Sequence, residues 1–419
     1  MLEFFYKERR TLVDFRRGPL GPRFDGFAAY LRERGYNRQH ARHVLGLCCQ
    51  FNDFLLGQGI ARAARIKTSQ IEPFGKVYLA GFRTTSQYSA ERALHMALGH
   101  LFDYLIQIGV VERIVPQVPK KPYSWVLEPY LKFCRDDRQV TDKSIHRMRR
   151  MLCPFLEGLG RKAAPRALRS LSAATVEEHI RRHLKDSPDN LRNLAGALRG
   201  FLNFCARQRH TSANLSGLIP PIPRYNLASL PRGLDDAVIE RLLQAPHEDS
   251  AVGCRDRAIV LLITAYGLRA QQVVQMQLED ITWPRSLLRV APCKGGKEVI
   301  LPLLQAVGEA VLRYLRHRPS QTPYRQLFLS VHAPHRPLTG LAACQVVRGR
   351  MKEAGIKIPR AGAQSLRHSW AIRTLTQGSS IKAIADVLGH RWVHNTFIYA
   401  KADVKALREV ALPWPGERL

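Results

Sequence analysis

The sequence is short of acidic residues, with 34 Asp and Glu against 65 Lys and Arg among its 419 residues, a formal net charge of +31. An enzyme that acts on neutral metabolites has no need of this excess. It is not confined to a tail, because residues 1–250 hold 40 basic and 24 acidic residues and residues 251–419 hold 25 and 10. The charge favours a polyanionic partner, since each Lys or Arg near a phosphate releases a condensed counterion. A merely solvated basic surface is the alternative on composition alone.

Other absences exclude further classes. No apolar run approaches the roughly 20 residues of a membrane span, so no membrane association is predicted. The N-terminal stretch contains charges and lacks a small-residue cleavage site, so it does not resemble a signal peptide. We expect a cytoplasmic, nucleoid-associated protein. The eight cysteines form no CxxC pair and no zinc-spaced Cys/His quartet, which predicts core thiols. They are Cys48, Cys49, Cys134, Cys153, Cys205, Cys254, Cys293 and Cys344.

The first half of the chain contains a weak internal repeat. The segment at 30–32 matches that at 130–132, and the segment at 98–104 matches that at 198–204, so both pairs are offset by 100 residues. In each copy, apolar positions at 3–4 spacing predict four short amphipathic helices. The last helix of each copy ends in an aromatic stripe, which either stacks on bases or fills a bundle core, and the helical spacing favours the core. The stripes are Phe102/Tyr104 and Phe201/Phe204.

Proline divides the chain. The segment 217–233 contains adjacent prolines and predicts a stiff, extended linker. Beyond it, residues 281–303 alternate in polarity and predict strands with a hairpin loop at the glycines of 294–297, between stretches of helical pattern. We predict five regions. They are a helical arm domain at 1–115, a second helical domain at 120–216, the linker at 217–233, a large mixed domain at 234–408 and a tail at 409–419.

The candidate chemistry rests on basic residues and a hydroxyl nucleophile. The sequence has no GxxxxGK[ST] loop, no HExxH and no clustered acidic pair for Mg²⁺, so neither a cofactor nor a metal is predicted. Phosphoryl transfer without them needs a nucleophile, cations for the non-bridging oxygens and an acid for the leaving oxygen. Four segments offer such groups in order. They contain Arg269 in AYGLRAQQV, Lys294 in APCKGGKEV, Arg367 in GAQSLRHSW, and His390 with Tyr399 in VLGHRWVHNTFIYAK.

These segments together resemble the catalytic domain of the tyrosine recombinase (phage integrase) family. That family shows a GLR segment, a GKGxK hairpin, an HxLRH segment and an LGH segment followed by Tyr nine residues after its His, the spacing between His390 and Tyr399. The resemblance covers residues 234–408, and the first half is similar, less specifically and twice over, to the family's helical core-binding domains. It implies a mainly α fold, with SAM-like helical core-binding domains and a mixed α+β catalytic domain that carries a small antiparallel sheet.

The resemblance also implies a role for each residue. Tyr399 would attack a DNA phosphate and form a 3′-phosphotyrosine, while Arg269 and Arg367 would bind the non-bridging oxygens, for which the forked guanidinium is suited. Lys294 would protonate the 5′ leaving oxygen from the hairpin, a role for which Lys297 is a rival.

His390 would donate a hydrogen bond to a phosphate oxygen. Taken singly, each of these residues also has a purely structural explanation: Arg269 as a helix cap, Lys294 and Lys297 as solvated turn charges, His390 as a helix-terminal charge and Tyr399 as an ordinary anchored ring. Their order and spacing together favour a site.

Two positions depart from the family pattern. The first His of HxLRH falls on Gln364, which can donate a hydrogen bond but cannot shuttle a proton. His368 stands next to Arg367 and is expected to point elsewhere on the helix, which would make it a poor substitute. The family's supporting Glu falls on Gln272. We therefore expect an enzyme that is active but slow, or one that depends on a partner protomer.

The function implied is DNA strand exchange for a mobile element, by integration, excision or resolution. The expected partner is double-stranded DNA, bound by a homo-oligomer (a tetramer) or by a hetero-assembly with paralogous recombinases. Two alternatives stay open. A type IB topoisomerase shares the constellation, and a non-catalytic DNA-binding paralogue is favoured by Gln364, although binding alone has no need of a positioned Tyr399.

Overall fold

The structure, a computed structural model, describes residues 1–82, 84–112, 121–222, 233–245, 250–293, 297–320, 322–358 and 361–400. The predicted fold class is confirmed, because the described residues are mainly α-helical and include one three-stranded antiparallel sheet. The chain forms two compact units. One contains Met1–Arg113 together with Asn226–Leu419, and the other is Ile114–Tyr225.

The N-terminal part of the first unit is a helical bundle around an aromatic core. Tyr30 and Tyr104 meet edge to face, with ring centroids 5.4 Å apart. The buried Asn52 holds the loop at 17–20 within the bundle, because its Oδ1 accepts from Leu20 N (2.9 Å) and its Nδ2 donates to Arg17 O (2.8 Å). The helices are α1 (Leu2–Phe5), α2 (Arg9–Arg16), α3 (Phe24–Glu33), α4 (Arg38–Gly57), α5 (Ile71–Leu79) and α6 (Thr84–Gln107).

The second unit is another bundle with its own core, and its described residues form five helices where four were predicted for this copy, the additional one being the single turn at Pro165–Leu168. Tyr130 packs against Phe201 and Phe204 with centroids 5.4 Å away in each case. Both predicted stripes, including Phe102 and Tyr104 of the first bundle, are buried, so they are core rather than surfaces for base stacking. The helices are α7 (Ser124–Asp136), α8 (Asp142–Leu159), α9 (Pro165–Leu168), α10 (Ala173–Arg182) and α11 (Pro188–Arg207).

The C-terminal part of the first unit is built around a helix that is buried on nearly every side. This helix, α13, begins after Ser250, whose Oγ accepts from Gly253 N (3.0 Å), and ends at Gly267 in the left-handed conformation (φ +63°). An apolar helix with no polar face belongs inside a domain. The helices are α12 (Asp236–Gln244), α13 (Ala251–Tyr266), α14 (Ala270–Gln275), α15 (Gln305–His317), α16 (Gly340–Glu353), α17 (Ala363–Thr376) and α18 (Ile381–Val387).

The predicted hairpin is present as part of a small sheet. Strands β1 (Ile281–Thr282), β2 (Leu287–Val290) and β3 (Val299–Pro302) pair antiparallel in that order. In the β2–β3 pair, Val290 lies opposite Val299, so the connection between them spans 291–298. The tip of that loop, 294–296, lies outside the described residues.

The remaining sequence predictions have mixed outcomes. All eight cysteines are free thiols, and Cys48, Cys134, Cys205 and Cys254 are buried, as core thiols are expected to be. No helix in the described ranges is long and apolar enough to cross a membrane. Most of the predicted linker and all of the predicted tail lie outside the described residues, and the five domain boundaries stay predictions.

Candidate active site

Three of the four predicted segments meet at one end of α13. Arg269 is the residue before α14, two positions beyond the Gly267 turn. Arg367 lies in the first half of α17, and His390 follows α18 after a second left-handed glycine, Gly389 (φ +60°). Tyr399 stands just beyond a 3₁₀ turn at Val393–Thr396. Short turns after helices therefore bring these side chains to one place.

Arg367 is the most buried charged side chain of the site, at 2% exposure. Its Nη1 donates to Gly267 O (2.7 Å), and its Nη2 donates to Leu388 O (3.0 Å) and to His390 Nε2 (2.8 Å). All three acceptors are neutral, and no carboxylate among the described residues pairs with this guanidinium. Burial, followed by the positive charge of Arg269, lowers the pKa of Arg367 to about 10. The arginine thus carries a charge that the protein does not balance.

Arg269 lies beside Arg367 and shares an acceptor with it. Its Nη1 reaches Leu388 O at 3.4 Å, a long hydrogen bond. Its backbone N donates to Gln272 Oε1 (3.0 Å), and Gln272 Nε2 in turn donates to Ala291 O (3.4 Å) at the end of the hairpin strand. The buried Gln272 therefore connects the Arg269 turn to the hairpin, a supporting position like the one that the family's Glu is expected to fill.

His390 is held at both ring nitrogens. Nδ1 lies 2.7 Å from the Oγ1 of the buried Thr396, and Nε2 accepts from Arg367, which can only donate. Burial, then Arg367 and then Arg269, lowers the pKa of His390 to about 4. In this structure the ring is therefore neutral at pH 7, and its Nε2 supports Arg367 instead of facing a free oxygen.

Tyr399 has a buried ring and a hydroxyl that faces His368. The ring belongs to a small apolar cluster with Trp370, Ile384 and Leu388, and the residue is 2% exposed. Its Oη lies 3.0 Å from His368 Nδ1. Burial raises the pKa of Tyr399, and the charges of Arg367 and Arg269 act in the opposite direction.

The expectation that His368 points away from the site is wrong. Gln364 and His368 are four residues apart on α17 and therefore share a face of the helix. Tyr399 approaches that face, while Arg367 is directed to Gly267 and His390. Sequence reasoning placed His368 relative to Arg367 alone, whereas the i, i+4 pairing with Gln364 was the available signal. Thr396, the partner of His390, carried no comparable signal.

The two candidate lysines differ in what the structure says of them. Lys294 lies outside the described residues, so its role stays a prediction. Lys297 is exposed and lies two residues before β3. Its backbone carbonyl lies beside Gly389, where a Cβ atom would stand 3.4 Å from it. This end of the hairpin is therefore adjacent to the His390 turn.

The arrangement defines a class of site. Two guanidinium groups that have no carboxylate partner among the described residues suit an anionic group, and a phenol beside an imidazole suits nucleophilic attack. No group of three or more His, Cys, Asp or Glu side chains that could hold a metal ion occurs within the described part of the chain. Together these groups have the chemistry that phosphoryl transfer to a tyrosine requires.

Known proteins match the chain at this region and beyond it. The model of the phage integrase family matches residues 232–406. A putative integrase/recombinase, y4rA of Sinorhizobium fredii (strain NBRC 101917 / NGR234), is 32% identical over 408 residues, covering 96% of each chain. Tyrosine recombinase XerD of Xanthomonas axonopodis pv. citri (strain 306) is 30% identical, over 65% of this chain and 92% of that one.

Solved structures share the fold at lower identity. XerH recombinase bound to its palindromic difH substrate matches with a TM-score of 0.53 and 20% identity, over 70% of this chain and 97% of that one. A λ integrase dimer bound to a core site matches with a TM-score of 0.52 and 16% identity, over 64% of this chain and 95% of that one. The chain belongs to the phage integrase family, the tyrosine recombinases, which are DNA strand transferases. The family predicted from the motifs is thereby confirmed.

Proposed function

We propose that this protein is a site-specific recombinase that cuts and rejoins DNA through a 3′-phosphotyrosine at Tyr399. The observation that carries the proposal is the buried, uncompensated charge of Arg367 near that tyrosine. Desolvating a guanidinium without a counter-charge is unfavourable by several kcal/mol. A DNA phosphate that enters between Arg367 and Arg269 supplies the missing negative charge.

Each side chain then has a task in the transfer. Arg269 and Arg367 bind the non-bridging oxygens and stabilise the charge that grows on them in the pentacoordinate state. Tyr399 Oη attacks phosphorus as the bond to the 5′ oxygen breaks, and Lys294 protonates that oxygen, with Lys297 as the alternative. Without a bound phosphate, His390 Nε2 accepts from Arg367 and holds it in position. Once a phosphate offsets the two arginine charges, the ring takes up a proton and Nε2 donates to a phosphate oxygen instead.

We propose that the molecule acts on double-stranded DNA at the nucleoid and serves a mobile element. The helical arm domain at 1–115 and the catalytic domain at 234–408 would both contact the duplex. A tetramer of this chain, or an assembly with paralogous recombinases, would perform the exchange. The support is the net charge of +31 and the kinship with integrases of similar length.

Covalent trapping tests the proposal. The substrate is a set of nicked duplexes tiled across the DNA that flanks the gene, in which a nick near the cleaved phosphate lets the short leaving strand diffuse away. The parent protein should form a complex that resists denaturation, and Tyr399→Phe should form none. Tyr88→Phe, on an exposed helical position, is the matched control and should behave as the parent does.

The same assay separates the alternatives. A parent protein that binds these duplexes but never becomes covalent is a non-catalytic DNA-binding paralogue, the function that Gln364 favours. Covalent complexes on every duplex, with relaxation of supercoiled DNA lacking a specific site, indicate a type IB topoisomerase. Covalent complexes that persist in Tyr399→Phe would show that another residue is the nucleophile.

A further inference from the structure

The groups around the Tyr399 hydroxyl form a chain of three side chains. His368 Nδ1 lies 3.0 Å from Tyr399 Oη, and His368 Nε2 lies 3.2 Å from the side-chain nitrogen of Gln364. Gln364 is exposed, His368 is half-buried and Tyr399 is 2% exposed. These three hydrogen-bonded side chains therefore connect the solvent to the phenol, through an imidazole that can carry a proton.

We propose that His368 is a catalytic residue that accepts the proton of Tyr399 during attack, and that Gln364 is the positioning residue that holds its ring. This inference rests on the proposed function, because it assigns the proton of the proposed nucleophile. It gives the proton a path even though the position where the family carries its first His holds Gln364.

The glutamine is suited to this task because its amide has both a donor and an acceptor. With the amide nitrogen toward His368, the ring is held with its proton on Nδ1, which then donates to Tyr399 Oη. After a half-turn of the amide, Gln364 Oε1 accepts from Nε2–H, and Nδ1 is free to accept from the tyrosine. The nitrogen and oxygen of an amide are assigned from the hydrogen-bond network, so both arrangements fit the same atomic positions. A neutral histidine at position 364 would present either a donor or an acceptor to His368, according to its tautomer.

The local electrostatics keep His368 ready to act as a base. Burial, followed by the positive charge of Arg367, lowers the pKa of His368, so the ring is neutral at pH 7. Among the described residues, Arg269 also acts on the Tyr399 hydroxyl that faces His368. His390 contacts Arg367 and lies one residue further from that hydroxyl. The two arginines stabilise the developing phenolate, which eases the loss of its proton.

In the attack of Tyr399 on the phosphate, every bond that forms is matched by one that breaks. The Oη–H bond of Tyr399 breaks as its proton moves to Nδ1 of His368, a bond forms between Oη and phosphorus, and the bond from phosphorus to the 5′ oxygen breaks. The leaving oxygen takes its proton from the hairpin lysine. The imidazolium keeps its Nε2–H bond to Gln364. On religation the 5′ hydroxyl attacks phosphorus and gives its proton back to the hairpin lysine. The bond from phosphorus to Oη breaks, and His368 returns the proton to the departing Oη.

A purely structural role makes different predictions. If His368 only holds Tyr399 in its buried position, any side chain that hydrogen-bonds Oη should support the same rate of covalent complex formation. His368→Asn provides such a partner, because the amide of Asn occupies the place of Nδ1 but cannot accept a proton at neutral pH. His317→Asn, at the exposed end of α15, is the control for a loss of imidazole elsewhere.

The test is the rate of covalent complex formation on the nicked duplexes from pH 5 to 8, with thermal unfolding used to verify that each variant is folded. The parent rate should rise along a limb whose midpoint lies below the ordinary histidine pKa of 6.5. His368→Asn should be slower by about 100-fold, the lower end of what general-base catalysis contributes, and should lose that limb. His368→Ala should regain rate when imidazole is added.

The possible results distinguish failure of the inference about His368 from failure of the proposed function. A His368→Asn protein that reacts at the parent rate with the parent pH profile overturns the inference, and so does a His368→Ala protein that reacts faster than the parent. In both cases the parent complex still depends on Tyr399, so the proposed function stands. If the parent itself forms no Tyr399-dependent complex on any duplex, the proposed function fails and the inference fails with it.

Discussion

Arg367 and Asp256 are both buried at 2% exposure, and the protein treats their charges in opposite ways. Asp256 is paired with Arg255 (2.6 Å) and with Arg350 (2.7 Å), so its charge is balanced within the fold. Within the described part of the chain, Arg367 has only backbone carbonyls and a neutral imidazole as partners. A buried charge that lacks a counter-charge is costly, and this cost is consistent with a ligand that brings the opposite charge.

His390 makes the acid stability of the protein depend on this arginine cluster. Its pKa is about 4 in the folded state and 6.5 ordinarily, so the unfolded chain binds a proton that the folded site rejects. Stability is therefore lost as the pH falls below 6.5, and this loss ends near pH 4. We predict that the melting temperature of His390→Gln decreases less between pH 7 and pH 5 than that of the parent.

The control for this prediction is His317→Gln, at an exposed position, whose melting temperature should follow that of the parent at both pH values. An identical decrease in the parent and in His390→Gln would mean that the arginines do not disfavour protonation of this ring.

At the scale of elements, the end of α13 positions the arginines. Gly267 adopts φ +63°, and a Cβ there would stand 2.7 Å from the ring of Trp370 and 2.9 Å from the side chain of Leu388. Its carbonyl accepts from Arg367, and the residue after next is Arg269. One turn therefore sets the position of both guanidinium groups.

We predict that Gly267→Ala lowers the free energy of unfolding by more than Gly355→Ala does. Both glycines have a left-handed φ, but Gly355 (φ +69°) has nothing within 4 Å of an added Cβ, so its variant reports the backbone strain alone, about 1–2 kcal/mol. The extra loss in Gly267→Ala measures the contact with Trp370 and Leu388, and cleavage should be impaired only in that variant. Equal losses in denaturant titrations would show that this turn is not tightly packed.

Much of the site was predictable from sequence because its residues follow recognisable local signals. The order and spacing of the four segments predicted one site, and the structure brings Arg269, Arg367 and His390 together. The contact of His368 was not predictable in the same way. Tyr399 reaches α17 from an irregular stretch that follows a 3₁₀ turn, and no periodicity gives the direction of such a stretch.

The burial of the site residues could not be predicted from the sequence either. Nothing in the HxLRH-like segment indicates that Arg367 is 2% exposed or that Tyr399 is packed behind Trp370. Both facts arise from the packing of α17 and of the segment after α18, which are distant in sequence from α13. By contrast, the helical stripes Phe201 and Phe204 were correctly assigned to a core, because their 3–4 spacing is a property of the helix itself.

At the scale of the whole molecule, the net charge of +31 predicts how DNA binding responds to salt. Phosphate contacts release counterions, so the logarithm of the affinity should fall linearly with the logarithm of the salt concentration. For about 6–10 such contacts, the affinity should fall by about 10³–10⁵ between roughly 50 and 200 mM salt, as measured by fluorescence anisotropy. A shallow slope would mean that most of the charge is solvated surface away from DNA.

The central claim is that Tyr399 becomes covalently joined to a 3′ phosphate, and mapping the adduct tests it most directly. The trapped complex is digested with protease and nuclease, and mass spectrometry locates the nucleotide that remains attached. We predict one modified peptide, containing Tyr399 linked to a 3′ phosphoryl group, and its absence from Tyr399→Phe. A nucleotide on any other residue, or a 5′ linkage, would contradict the account.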